Sequence, residues 1–192
     1  MYPMIKCRPD ISTNAILLSQ YMDNLGEDHY VALRYLVQYL ANTSTEGIHY
    51  WRPTPINTLP DAPLPQPHPN NYQLQELPAT DSQNLIGFVD SDWATNTKKR
   101  TSMTGMVLML AGGTVKYKSK FQSVIAHSST EAEFVTACDT AKMILFFRFL
   151  LQDIGVEQTD ATFLFEDNTG ALMMANLQSP NVQLMVCGLK NS

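Results

Sequence analysis

Apolar residues recur along the chain with two different periods, and each period predicts its own kind of element. Behind Pro9-Asp10, the residues Ile11, Ala15, Leu18 and Met22 lie at helical spacing, and Asn24-Leu25-Gly26 closes the run. Tyr30, Leu33, Leu36, Val37 and Leu40 mark one face of a second helix over 28–41, and Gly47-Ile48-His49-Tyr50-Trp51 reads as a short strand. Two helices and one strand make a poor core, so this piece is expected to pack on something else. Further on, Leu85-Ile86-Gly87-Phe88-Val89 is a continuous apolar run of buried-strand length, ending in Asp90-Ser91-Asp92-Trp93. Met103 to Leu110 predicts a second strand, Gly112-Gly113 a hairpin, Thr114 to Lys118 the returning strand, and Ser123 to Ala126 a little more strand. A long helix is expected from Ser129 to Ile154, with Phe134, Ala137, Cys138, Ala141 and Leu145 on its apolar face and Gly155 as its stop. Ala161 to Phe165 reads as another strand, ending in Glu166-Asp167-Asn168, and a short helix follows from Gly170 to Leu177. Strand, hairpin, long helix, strand and helix in that order predict a mixed α/β layer architecture.

Eight of the 11 prolines fall between Pro53 and Pro78, a density that no helix or central strand tolerates. The stretch 53–78 is expected to be an extended linker dividing a helical segment, 1–52, from an α/β domain, 79–192. With 44% apolar and only 16% charged residues, the 192-residue chain can bury a core, and its composition is not that of a disordered tail. A net charge of −5 excludes a polycation that coats nucleic acid, though not a local basic patch. Cys7, Cys138 and Cys187 stand far apart without a CxxC pair, which argues against a zinc site or a disulfide scaffold. No run of 18 apolar residues predicts a membrane span, and the opening MYPMIKCRPD lacks the apolar core of a signal peptide. The expected setting is intracellular, in cytoplasm or nucleus, with no membrane partner and no secretion.

Two acidic residues stand at strand ends, Asp90 after LIGFV and Asp167 after TFLFE. Taken singly, each is an ordinary turn or cap residue. Together with a carboxylate on the intervening helix they suggest a site, and three converging carboxylates need a cation to hold their charges together. Oxygen-only ligands suit Mg²⁺ or Mn²⁺ rather than Zn²⁺, and a pair of such ions about 3.5–4 Å apart is a common device for phosphodiester cleavage. Two helix glutamates compete for the role. Ser128-x-x-Glu131 matches a capping box, which employs Glu131 structurally and leaves Glu133 the freer candidate. At about 100° per residue the two point some 160° apart, and measured from the expected apolar face Glu131 lies nearer the core.

Between Trp93 and Thr130 there are six basic residues, Lys98, Lys99, Arg100, Lys116, Lys118 and Lys120, and no acidic one. On a strand, Lys116, Lys118 and Lys120 point to one face. Such a row beside carboxylates suits a phosphate backbone, and it also suits an edge strand guarded against pairing.

The segment GFVDSDWATNTKKRTSMTGMVLMLAGGTVKYKSKFQSVIAHSSTEAEF, followed by FEDNTGAL, resembles the ribonuclease H domain of copia-type retrotransposon polyproteins. Residues 7–51 resemble the end of the reverse transcriptase that precedes it. The resemblance implies a ribonuclease H-like mixed sheet with a long central helix, preceded by a small helical segment. It implies hydrolysis of the RNA strand of RNA/DNA hybrids with two Mg²⁺ or Mn²⁺ ions, held by Asp90, Glu133 and Asp167 as catalytic and metal-binding residues. The hybrid or another nucleic acid would be one partner, and the remainder of a reverse transcriptase another. The family continues with a basic, His-rich stretch, a strand and a motif carrying a fourth aspartate. Here the chain runs NLQSPNVQLMVCGLKNS, with no acidic residue after Asp167 and no YVDD-like polymerase motif anywhere. The expectation is thus a domain truncated at its C-terminus, lacking its last strand, last helix and fourth ligand, with an impaired two-ion site and weak or lost activity. A non-catalytic nucleic-acid-binding module, or a non-functional relic of a retroelement, is the alternative.

Overall fold

The apolar run after Asn84 is too short for a helix and too continuous for a half-exposed strand, and it forms the middle of a sheet. The computed structural model describes residues 4, 7–48, 50, 84–96, 99–177 and 184–188, with the chain path alone for 176–177 and 184–188. Its five strands are β1 (Ile86–Asp92), β2 (Met103–Leu110), β3 (Gly113–Phe121), β4 (Thr162–Glu166) and β5 (Leu184–Gly188). They lie in the order β3-β2-β1-β4-β5, with β1, β2 and β3 antiparallel and β1, β4 and β5 parallel. Helix α3 (Ser129–Asp153) joins β3 to β4 across one face of the sheet, and α4 (Thr169–Leu177) joins β4 to β5. This is the expected ribonuclease H-like α/β arrangement.

One expectation is corrected by the sheet itself. The domain does not lack its last strand: Leu184–Gly188 pairs in parallel with the whole of β4, from Thr162 opposite Leu184 to Glu166 opposite Gly188. A five-residue strand whose partner is distant in sequence carries no alternation and no turn signal, so nothing local announces it. Two other expected strands do not form among the described residues. Residues 47, 48 and 50 have no regular structure, and Ser123–Ala126 forms no strand, with bends at Ser123 and Val124. The Pro-rich stretch 53–78, Trp51 and Lys98 lie outside the described residues.

The β2–β3 hairpin is tighter than the Gly112-Gly113 signal implied. Leu110 pairs with Gly113, so the two turn residues are Ala111 and Gly112, with φ of 50° and 74°. That pair of positive angles is the type I′ turn, which matches the strand twist and favours Asn-Gly. Ala111 carries the left-handed conformation at a steric cost. Ala111→Asn is expected to stabilise the chain by about 0.5–1 kcal/mol, read as a rise in the urea midpoint without change of slope.

Helix α3 buries only part of the face its apolar residues suggested: Ala137 is buried as expected, but the rest of the buried face is turned away from that row. Its buried residues are Ala132, Glu133, Thr136, Ala137, Thr140, Ile144, Arg148 and Leu151, whereas Cys138 is exposed and Leu145 is 43% exposed. The second half, Lys142 to Gln152, is apolar nearly all round and gives no direction. The first half turns a polar stripe inward and satisfies it: Thr136 bonds Thr104 at 3.1 Å and accepts from Gln122 at 3.2 Å, and Thr140 bonds its own helix. Near the other end the buried Arg148 guanidinium donates to the carbonyls of Gln158 and Asp160 and to the Thr162 hydroxyl, which ties the α3–β4 connection down. Leu85, Val89, Met106, Leu108, Ile144, Leu151 and Leu164 fill the space between helix and sheet.

The N-terminal segment does find a surface. A single 3₁₀ turn (Pro9–Ile11) runs into α1 (Ser12–Ser19), and α2 (Glu27–Asn42) follows. Arg8 is buried, paired with Asp10 at 2.8 Å and bonded to Thr43, so it clamps the start of α1 to the end of α2. Thr13 bonds Ser119 of β3 at 3.3 Å, Gln20 bonds Asn96, and the Tyr50 hydroxyl donates to the Thr114 carbonyl. The segment therefore leans on the β3 edge and on the sheet face opposite α3.

Candidate functional site

Each site carboxylate is set by a local device. Asp90 is on β1 opposite Gly105 of β2, exposed where β1 runs past the end of its pairing with β4. Glu133 lies two residues beyond the capping box at the start of α3. The Ser128 hydroxyl accepts from the Glu131 N–H at 3.1 Å, and the Glu131 carboxylate accepts from the His127 N–H at 2.7 Å. The cap holds Glu131 outward, and the helix then turns Glu133 inward, where it is 5% exposed. The choice between the two glutamates is thereby made by burial. Asp167 is the first residue after β4, held between that strand and a capped helix: the Asn168 side chain accepts from the Ala171 N–H at 3.0 Å. Gly170 lets the starts of α3 and α4 touch, since a Cβ there would stand 2.9 Å from the Thr130 side chain.

These devices bring the three predicted residues together. One carboxylate oxygen from each of Asp90, Glu133 and Asp167 lies within 4.8 Å of the other two. The electrostatic strain of that arrangement falls on Asp90 and Glu133. Partial burial, then the charge of Asp167, push the Asp90 carboxyl up from its ordinary value. Burial, then the neighbouring Glu166, raise Glu133 to about 7, against the opposing pull of the Ser91 backbone. One oxygen of Glu133, Oε2, is buried with no hydrogen-bond partner. A buried carboxylate oxygen without a hydrogen-bond partner, among acidic neighbours, suits a cation, and an all-oxygen donor set fits Mg²⁺ or Mn²⁺. Asp90, Glu133 and Asp167 are the residues that would hold it.

Glu166 was passed over in the sequence, although it is the more unusual half of Glu166-Asp167. It is the last residue of β4, fully buried, with Oε1 accepting from the Asn168 N–H at 3.0 Å and Oε2 unpartnered. Burial, with the charge of Asp167, pushes the Glu166 carboxyl up to about 6, against the Asn168 bond. The signal was the alternation of β4, in which Thr162, Leu164 and Glu166 share the buried face.

The basic residues divide. Lys116, Lys118 and Lys120 lie opposite Leu108, Met106 and Thr104, so all three share the sheet face that carries α3. They line the edge strand, about 10 Å or two strand spacings from β1, and Lys118 reaches Asp139 of α3 at 3.8 Å. Lys99 and Arg100 are exposed in the β1–β2 loop, whose shape is set by Asn96 accepting from the Lys99 N–H at 2.9 Å and the Arg100 N–H.

With this geometry go clear relatives. The chain is 28% identical over 160 residues to the retrovirus-related Pol polyprotein from transposon TNT 1-94 of Nicotiana tabacum, covering 83% of the chain and 10% of that protein. It is 29% identical over 164 residues to the polyprotein from transposon RE2 of Arabidopsis thaliana, covering 85% of the chain and 9% of that protein. The chain is a homologue of copia-type retrotransposon Pol polyproteins. It is retroelement-derived, and it spans about a tenth of the length of those polyproteins. A further relative is the secreted RxLR effector protein 161 of Plasmopara viticola, 28% identical over 142 residues, which are 74% of the chain and 81% of that protein. No family model matches the chain. No solved structure matches it either. Among the described residues, no helix is long and apolar enough to cross a membrane.

Proposed function

We propose that this retroelement-derived domain is a ribonuclease H-type nuclease, which hydrolyses the RNA strand of RNA/DNA hybrids with Mg²⁺ or Mn²⁺. The observation that carries this reading is the convergence of Asp90, Glu133 and Asp167 within 4.8 Å at the ends of two parallel strands and the start of the long helix. Divalent ions bound there would supply Lewis-acid activation of water and charge neutralisation at the scissile phosphate. The chain contributes the cage: Asp90 and Asp167 from exposed strand ends open to a substrate, Glu133 from the buried side. The Lys116, Lys118 and Lys120 row, with Lys99 and Arg100 in the loop between β1 and β2, offers positive charge for a phosphate backbone approaching that end of the sheet.

The test is a hybrid with labelled RNA, incubated with the 192-residue chain in Mn²⁺, in Mg²⁺ and in EDTA. Cleavage of the RNA strand is expected with either ion and faster with Mn²⁺, because Mg²⁺ gives up its water reluctantly. EDTA abolishes it, and duplex DNA is left intact. Gel-shift binding of the hybrid in EDTA without any cleavage in Mn²⁺ would instead establish the non-catalytic binding module, which the lysine row alone could support.

A further inference from the structure

Two divalent ions bring four positive charges, and Asp90, Glu133 and Asp167 answer only three of them. A further acidic residue, Glu166, stands directly before Asp167. Glu166 is fully buried, on the α3 face of β4, while Glu133 is 5% exposed and comes from α3 above the same face. Each has one oxygen, Oε2, out of contact with water and with no hydrogen-bond partner. Glu166 is also the charged group that acts most strongly on Glu133. Two carboxylate oxygens buried on one face of the sheet, both unpartnered and at the strand end that carries Asp167, leave negative charge that the protein itself does not neutralise. The other Glu166 oxygen is fixed by the Asn168 N–H at 3.0 Å, which holds the side chain in place and joins it to the turn that positions Asp167.

We propose that Glu166 is the fourth acidic ligand of the cation site, sharing with Glu133 an inner subsite beneath the Asp90–Asp167 opening. This rests on reading Asp90, Glu133 and Asp167 as a divalent-cation site, and it adds the residue that balances a second ion.

The test uses the full chain and Mn²⁺ alone, with free Mn²⁺ followed by electron paramagnetic resonance. The wild-type chain is expected to bind two ions. Glu166→Gln should keep one near its original affinity and bind the other at least tenfold more weakly, whereas Asp167→Asn should weaken both. Melting in EDTA supplies a second readout. Glu166→Gln should melt no lower than wild type, and its gain in melting temperature on adding Mn²⁺ should be smaller. A merely structural Glu166 would do the reverse, lowering the metal-free melting point and leaving the Mn²⁺ gain unchanged. Equal stoichiometry and affinity in Glu166→Gln and wild type overturn the proposal and leave the three-carboxylate site standing. Failure of the wild-type chain to bind Mn²⁺ at all overturns the cation reading itself, and the proposal with it. Should Glu166→Gln not fold, wild-type crystals grown with Mn²⁺ decide the matter. An anomalous peak within about 2.5 Å of a Glu166 oxygen supports the ligand, and its absence with a peak at Asp90 overturns it.

Discussion

Asp90→Asn is expected to lower hybrid cleavage at least a thousandfold, equivalent to about 4 kcal/mol of barrier. Asn has the shape of Asp but neither its charge nor its second anionic oxygen, and Asp90 is one of three groups whose oxygens share a 4.8 Å space. Removing one charge from such a set weakens every ion in it. The same change should not harm the fold. Asp90 is exposed and is repelled by Asp167, so the metal-free variant is expected to melt no lower than wild type. Single-turnover cleavage in Mn²⁺, run beside a melting curve in EDTA, separates the two effects. Mg²⁺-dependent cleavage that survives Asp90→Asn would mean that the chemistry happens elsewhere.

The metal-free protein is expected to lose stability as the pH rises from about 4.5 to about 7. Glu133 has an ordinary value near 4.5 in an unfolded chain and about 7 in the fold, because burial and Glu166 oppose its charge. Between those values the unfolded state has released a proton that the folded state still holds, so each step up in pH favours unfolding. Glu166, raised to about 6, acts in the same direction. With the two groups coupled and partly screened, the loss is of order 2 kcal/mol across the window. Urea unfolding in EDTA at a series of pH values measures it, and Glu133→Gln should flatten the curve. Saturating Mn²⁺ reverses the loss near neutral pH, since an ion at one hundred times its dissociation constant adds about 2.7 kcal/mol. A metal-free stability that rises between pH 4.5 and 7 would show that Glu133 is not held in a buried anionic pocket.

Both predictions depend on Glu133, and it marks how far the sequence could be read. Elements formed by neighbours along the chain were legible: β1, β2, the hairpin, the span of α3 to within a residue, β4 and α4 all follow from apolar runs, turn residues and a capping box. The acidic ends of β1 and β4 were legible for the same reason, because a strand's end is a local event. Which way α3 faces was not. Its second half is apolar on every side and its first half turns threonines and a glutamate inward, so apolar periodicity alone pointed to Phe134, Cys138 and Leu145 instead. The inward face is set by which helix residues meet partners on the sheet, such as Thr104 and Gln122, and those partners come from distant parts of the chain.

The amino-acid sequence by itself determined the order of the elements, the acidic strand ends Asp90 and Asp167, the two competing glutamates Glu131 and Glu133, and the lysine row, since each is set by residues close together along the chain. Only the tertiary structure decided the rest. It paired β5 with β4, laid the N-terminal segment on the β3 edge, buried Glu133 rather than Glu131, and buried Glu166 on the helix-covered face of the sheet. Parallel pairing and the burial of a charged group are contacts between segments far apart in the chain, and their energies depend on distance in space rather than along the sequence.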